Sequence, residues 1–268
     1  MKRILSVLLI AILVFSFAAC NRKKDEQSGV TNYAETTSYD VKDSTGKVLG
    51  TLEYVASGTE YATIIKYTPR VSTPHSLYIP TTLGDGRTVT AIGSEAFKAC
   101  SYVTKVRIPY TVQIIGDWAF SLCTSIYEIS IPESVEIIGD GAFWGCEDLT
   151  YVTFDGDAPA LKSIGSYAFG SCTYLDSITV PEGVTSIGDD AFDECLNLKT
   201  VTLPQSLKTL GQTVFARCDA VESITLGDNI ESIGKYAFGT LLSEKPEVII
   251  YNKGTATDNA IKAIPDAE

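Results

Sequence analysis

Residues 123–146, CTSIYEISIPESVEIIGDGAFWGC, decide the fold, and their pattern returns at residues 195–218 as CLNLKTVTLPQSLKTLGQTVFARC. Aligning the chain on the phenylalanine of each unit gives seven positions with spacings of 23, 23, 26, 23, 23 and 23 residues: Phe97, Phe120, Phe143, Phe169, Phe192, Phe215 and Phe238. A glycine stands four residues before each of them, and a cysteine stands three residues after the first six. A fixed period in the twenties predicts a solenoid in which each unit forms one coil.

Each recurring column has a physical interpretation. Apolar residues alternate over a short stretch, as at Ile129 and Ile131, which predicts a strand with one buried face. A proline usually follows and ends the strand, because it lacks the N–H that a ladder needs. The recurring glycine favours a turn with positive φ. The next residue suits the N-cap of a short helix, at Ser94, Asp117, Asp140, Ser166 and Asp189.

These columns, C-x-x-L-x-x-V-x-I-P-x-x-V-x-x-I-G-x-x-A-F, resemble the BspA-like family of bacterial leucine-rich repeats over about residues 76–251. The resemblance implies an α/β solenoid, namely a right-handed leucine-rich-repeat superhelix with one parallel sheet and short helices opposite. It also implies adhesion to matrix or plasma proteins. The departures are local: Asp155 and Gly227 replace proline, Val214 replaces alanine, and the unit after Asp155 is three residues longer.

Five segments are predicted along the chain. Residues 1–19 form a signal peptide, and residues 20–37 form a lipid-anchored flexible spacer. Residues 38–75 form a small antiparallel β cap, since their alternating stretches are separated by glycine-containing turns. Residues 76–251 form the solenoid of about seven repeats, and residues 252–268 form a C-terminal cap and tail.

The start of the chain predicts export from the cytoplasm. Lys2 and Arg3 precede the apolar run Ile4–Phe17, which is the layout of a secretory signal peptide and is too short to span a bilayer. The run ends in FAAC, which resembles a bacterial lipobox and implies a diacylglycerol on Cys20; an ordinary signal peptide with a free thiol is the alternative. Lys24–Glu26 resembles a short export signal of some Gram-negative lipoproteins; a plain solvated run of charges is the alternative. The predicted location is the bacterial envelope, with lipid anchoring at the outer membrane or the cell surface.

Composition excludes several classes of protein. The 268 residues are 45% hydrophobic, which excludes collagen-like and disordered chains. The net charge of −12 argues against a nucleic-acid partner, because a phosphate backbone would meet a repulsive field.

The residue types that carry chemistry form no recognisable catalytic motif. The six repeated cysteines are at least 23 residues apart, which is not metal-ligand spacing, and we predict buried free thiols rather than stacked disulfides. His75 is the only histidine and lies outside the cysteine columns, so a cysteine nucleophile would lack a base. We therefore predict no catalytic residue, no metal and no cofactor. Asp155–Asp157 is either a solvated loop or a calcium loop.

The outward columns of the predicted strands form a long exposed face that is rich in hydroxyls, with charge and tyrosine in its first half. Simple strand preference for Ser and Thr is the alternative explanation. Leu83–Arg87 is predicted to protrude, because Pro80 lies 13 rather than 7 residues before the next glycine of the column. The candidate ligand-binding face comprises Lys105, Arg107, Tyr127, Glu128, Ser130, Tyr151, Thr153, Thr179 and Thr202.

Together these features favour a cell-envelope lipoprotein whose solenoid is a protein-binding or adhesion module. The expected partner is a protein or glycan of the host or the envelope, with membrane attachment through the lipid on Cys20. The alternatives are a non-catalytic scaffold of an envelope complex and an extracytoplasmic hydrolase.

Overall fold

The computed structural model describes residues 36–157, 159–244 and 246–264. The predicted signal peptide, Cys20 and nearly all of the spacer lie outside these residues. Within them, no helix combines the length and apolar character needed to cross a membrane.

The described chain forms a solenoid of about eight turns with two sheets. In spatial order, the ten-stranded sheet contains β1 (Thr36–Lys42), β2 (Val48–Ser57), β3 (Tyr61–Pro69), β5 (Thr88–Ile92), β7 (Ile114–Ile115), β9 (Ile137–Ile138), β11 (Ser163–Ile164), β13 (Ser186–Ile187), β15 (Thr209–Leu210) and β17 (Ser232–Ile233). The eight-stranded sheet contains, from its N-terminal end, β4 (His75–Tyr78), β6 (Val103–Arg107), β8 (Glu128–Ile131), β10 (Tyr151–Phe154), β12 (Ser177–Thr179), β14 (Thr200–Thr202), β16 (Ser223–Thr225) and β18 (Ile249–Ile250).

Among the strands that the structure describes, pairing is antiparallel from β1 to β2 and from β2 to β3, which confirms the predicted N-terminal cap. One isolated antiparallel bridge also joins Thr82 to Thr88. From β3 to β5 onward the ten-stranded sheet is parallel, as is the whole eight-stranded sheet. The resemblance implies one parallel sheet, whereas the structure has two sheets with parallel strands. The second ladder was missed because its strands in the regular coils are only two residues long, below the length at which alternation is visible.

The interior is a stack of identical side chains. Successive phenylalanine rings of the repeat lie 4.9 to 6.2 Å apart between centroids, with interplanar angles of 1 to 11°. The unit around Phe120 buries eight side chains to 5% exposure or less: Ile108, Val112, Ile115, Ala119, Phe120, Cys123, Ile126 and Ile129. One coil cannot close such a core alone, so each coil depends on its neighbours.

The six repeated cysteines are free and buried, as predicted. From the second coil onward, each thiol donates a hydrogen bond to the phenylalanine carbonyl of the preceding coil, at 3.0 to 3.3 Å. Burial raises the pKa of the Cys146 thiol to about 12. The thiols of Cys123, Cys146, Cys172, Cys195 and Cys218 therefore link neighbouring coils in the core, and Cys146 stays protonated at neutral pH.

The predicted short helices are absent from the regular coils that the structure describes, and turns occupy their place. The backbone N–H groups of Glu95, Phe97 and Ala99 donate to carbonyls of the next coil at 2.8 to 2.9 Å, instead of bonding within a helix. Glu95 and Ala99 also have φ angles of 58° and 60°, which an α-helix excludes. Bonding between coils therefore outcompetes local helix formation.

Two further interpretations of the turn are corrected. The predicted N-cap carboxylate of Asp117 accepts a hydrogen bond from the backbone N–H of Asp140, one coil later, at 3.0 Å. The glycine column has no positive φ. A Cβ on Gly188 would lie 2.4 Å from the backbone nitrogen of Ser166, so glycine is required by the close approach of two coils.

The C-terminal end carries the helices that the structure describes. They are α1 (Leu241–Glu244), a 3-10 turn at Pro246–Val248 and α2 (Ala256–Lys262), whose N-cap is Thr255. The buried hydroxyl of Thr257 donates to the carbonyl of Gly227 at 2.5 Å and accepts from the N–H of Ile230 at 3.1 Å. Through these bonds α2 supplies partners to backbone groups of the final coil.

Candidate ligand-binding face

The predicted face lies on the eight-stranded sheet, where parallel register aligns its residues in two rows. Lys105, Glu128, Tyr151 and Ser177 pair in succession along one row. In the other row, Tyr78 pairs with Arg107, Arg107 with Ser130, and Ser130 with Thr153. Thr179 and Thr202 pair further along the sheet. Tyr127 directly precedes β8 and is 45% exposed.

The first coils of this face carry polar contacts between neighbouring strands. The Lys105 ammonium forms an ion pair with the Glu128 carboxylate, and this hydrogen bond raises the pKa of Lys105. The Ser130 hydroxyl donates to the Asp155 carboxylate. Three of these four residues were predicted as site residues. Asp155 was not among the predicted site residues, although it stands where most units have a proline.

Arg107 differs from these neighbours. Its side chain is exposed, and among the described residues its guanidinium has no ion-pair or hydrogen-bond partner. Tyr78 on β4 and Ser130 on β8 flank it in register. A guanidinium offers five donors in a planar fork, so Arg107 presents a free site for an anion or an acceptor.

A concavity of about 630 Å³ surrounds Arg107. Its lining includes Lys105, Arg107, Glu128 and Ser130 from the predicted face. The structure adds two tyrosines that sequence reasoning missed, Tyr78 and Tyr110, which are 57% and 73% exposed. Tyr78 could have been identified, because it occupies the outward column of Arg107 one coil earlier. Tyr110 had no comparable signal.

The remaining predicted residues lie outside the lining. Tyr127, Tyr151, Thr153, Thr179 and Thr202 do not border the concavity, although they belong to or adjoin strands of the same sheet. The structure therefore divides the predicted face into a concave part around Arg107 and a sheet surface that continues past Tyr151.

The repeat is irregular at two places next to the concavity. Pro80 and Thr81 line it and lead into the long loop before β5. In that loop the backbone N–H of Leu83 bonds to the carbonyl of Arg87 at 2.9 Å. On the other side, Asp155 lines the concavity and begins the three-residue insertion. Irregular units thus border a hollow whose lining includes predicted site residues.

In the described part of the chain, the histidine is hydrogen-bonded and the six repeated cysteines are buried. The His75 Nδ1 lies 2.9 Å from the carbonyl oxygen of Thr73, and its Nε2 lies 3.4 Å from the hydroxyl of Tyr67. Burial raises the thiol pKa of Cys146, Cys172 and Cys195. In residues 36–157, 159–244 and 246–264, no three His, Cys, Asp or Glu side chains are grouped to hold a metal ion.

Comparison with known proteins identifies the family. A model described as BspA type leucine-rich repeat region matches residues 85–159 and 157–258. A leucine-rich repeat protein from Bacteroides ovatus is 36% identical, with a TM-score of 0.63 over 71% of this chain and 50% of that one. The T. pallidum leucine-rich repeat protein is 27% identical, with a TM-score of 0.61 over 68% and 82% of the two chains.

A leucine-rich repeat protein from Eubacterium ventriosum is 26% identical, with a TM-score of 0.58 over 69% of this chain and 49% of that one. The chain thus spans about half the length of the Bacteroides ovatus and Eubacterium ventriosum proteins. No curated protein matches it. Because the family model covers well over half of the sequence, the chain belongs to the BspA-type leucine-rich repeat family of bacterial proteins.

Proposed function

We propose that this protein is a non-catalytic binding module of the bacterial envelope, and that it recognises another protein through the first coils of the eight-stranded sheet. The observation that carries the proposal is the concavity of about 630 Å³. Four residues chosen from sequence as a binding face, Lys105, Arg107, Glu128 and Ser130, lie in its lining.

The composition of the site supports binding to a protein. Tyrosine and arginine are enriched among the residues that dominate the energy of protein interfaces. Tyr78, Tyr110 and Arg107 place three such side chains, all exposed, around one hollow. The neighbouring Lys105–Glu128 pair is also exposed, so a partner can contact it as a pair.

The test is to screen the purified chain against matrix proteins, envelope proteins and glycans, and then to replace Arg107, Glu128 and Tyr151 by alanine together. We expect at least a tenfold loss of affinity for a protein ligand. A matched variant replaces Thr200, Ser223 and Thr225 by alanine; these residues lie on β14 and β16 of the same sheet, outside the lining of the concavity, and the variant should bind like the wild type. A ligand that binds the first variant as tightly as the wild type would refute the proposed face.

We also propose that the module is anchored by a lipid on Cys20 and displayed on the cell surface. The basic start, the short apolar run and the FAAC ending support this. Two acyl chains are sufficient for stable anchoring. Replacing Cys20 by alanine should shift the protein from the membrane fraction to the soluble fraction, and protease treatment of intact cells should remove the wild-type domain. Retention of the variant in the membrane fraction would contradict the lipid anchor. Resistance of the wild type to protease would contradict display on the cell surface.

A further inference from the structure

We propose that the concavity around Arg107 binds the carboxylate of a glutamate or aspartate side chain, carried by an extended segment of a polypeptide partner. The inference rests on the proposed protein-binding function and specifies the chemistry of its ligand. It starts from the free guanidinium of Arg107, which no side chain in the described part of the chain neutralises.

The charge of the lining selects a ligand with one negative charge. Lys105 and Arg107 balance Glu128 and Asp155, so the charged groups around the hollow sum to zero. Lys105 already pairs with Glu128, and Asp155 accepts a hydrogen bond from Ser130. A phosphate or sulfate would bring about two negative charges next to two carboxylates with only one free cation. A single carboxylate instead matches the planar fork of one guanidinium and leaves the other pairs intact.

The flanking residues favour a polypeptide as the carrier of this carboxylate. Tyr78 is the register neighbour of Arg107 on β4, and Tyr110 follows β6 by three residues. Pro80, Pro109 and Pro132 also line the hollow and provide apolar contact area for a side-chain stem. An anionic side chain that reaches the guanidinium would therefore enter a hollow lined by two exposed aromatic rings.

The position of β4 is a second reason to expect a polypeptide partner. Among the described strands, β4 is the end strand of the eight-stranded sheet, with β6 as its only neighbour in that sheet. The backbone of His75 and Ile79 donates toward the β6 side, to carbonyls of Tyr102 and Arg107 at 3.0 and 3.2 Å. An end strand presents its other row of backbone groups outward, where an extended peptide can pair with it. A glycan cannot form such a ladder.

The experiment is selection of a random dodecapeptide phage library on the full chain and on three variants. The wild type should select peptides that are enriched at least threefold in Glu or Asp relative to the unselected library. Arg107→Gln should abolish this enrichment, and Arg107→Glu should select Lys and Arg instead. Lys199→Gln removes one positive charge directly before β14 of the same sheet, and it should select the same peptides as the wild type.

The outcomes separate this inference from the proposed function. Peptides without acidic enrichment whose binding still requires Arg107 would overturn the carboxylate assignment and leave the binding function standing. Enrichment that survives in Arg107→Gln would place the acidic contact elsewhere and overturn the site. Selection of no peptide, together with binding of uronic-acid glycans that depends on Arg107, would overturn both the polypeptide partner and the proposed protein-binding function.

Discussion

The coils between residues 160 and 240 and the coils between residues 75 and 157 share one interior but differ at the surface. In the later coils the outward rows are mostly serine and threonine, and the units keep a period of 23 residues. In the earlier coils the same rows carry Lys105, Arg107, Glu128 and Tyr151, and two units are irregular. The comparison indicates that the regular columns build the solenoid. The concavity around Arg107 lies where the outward residues are charged or aromatic and the units are irregular.

The strongest way to break the shared interior is to remove one ring from its centre. Phe169 is fully buried and stacks on Phe143 and Phe192 at 5.2 and 5.5 Å. Phe169→Ala should lower the free energy of unfolding by about 3 to 5 kcal/mol, measured by urea denaturation. Tyr174→Ala is the control, since that ring is 58% exposed and should cost about 0.5 kcal/mol or less. Equal losses in the two variants would contradict the stacked core.

A smaller loss of stability is expected when the spacing between coils is disturbed. Gly188→Ala would place a methyl carbon 2.4 to 2.8 Å from backbone atoms of Gly165 and Ser166. We expect a loss of about 1 to 3 kcal/mol in the free energy of unfolding, because the coils must separate to admit the methyl group. Gly84→Ala, in the irregular loop, would meet only the Tyr39 ring at 3.7 Å and should be tolerated. If both variants unfold at the same denaturant concentration, close approach does not explain the glycine column.

The pH dependence of stability tests whether water is excluded from the Cys146 thiol. Burial raises the pKa of the Cys146 thiol from 9.0 to about 12, so between these values the unfolded chain loses a proton that the folded chain retains. The free energy of unfolding should therefore fall as the pH rises above 9. Between pH 8 and pH 10, the fall should be about 1.4 kcal/mol smaller in Cys146→Ala than in the wild type, measured by denaturation in reducing buffer. Identical falls would indicate a thiol that is open to water.

The smallest effect is expected on the regular part of the exposed sheet. Thr179 and Thr202 are register partners that lie beyond the concavity. Replacing both with valine should change the free energy of unfolding by about 0.5 kcal/mol or less, because valine also favours strands. Affinity for a protein ligand, measured by biolayer interferometry, should stay within twofold of the wild type. A larger loss would extend the binding face into the later coils.

Much of the fold was predictable because the repeat makes each interior column visible several times. The phenylalanine, cysteine and strand columns, and the antiparallel N-terminal cap, are confirmed by the structure. The short helices were wrong because local N-cap and helix signals omit the neighbouring coil, which takes the backbone hydrogen bonds of residues such as Phe97. The two-residue strands of the regular coils were too short to leave a periodic signal.

The candidate site was predictable in part. Outward columns identified Lys105, Arg107, Glu128 and Ser130, and these residues line the hollow. Tyr110 was missed because it follows the strand and no column rule applies to it. Asp155 was noticed as an exception to the proline column, but its contact with Ser130 depends on two coils 25 residues apart in sequence. The assignment of all these residues to a binding site stays a prediction.

By itself, the sequence determined the family, the period and the composition of the interior, because each coil repeats the same local choice of apolar and small residues. Only the tertiary structure decided where each backbone N–H bonds, why glycine is required, and which outward side chains share one hollow. These properties depend on atoms that are one or more coils apart in sequence and only a few ångströms apart in space. Periodicity within a coil carries no information about them.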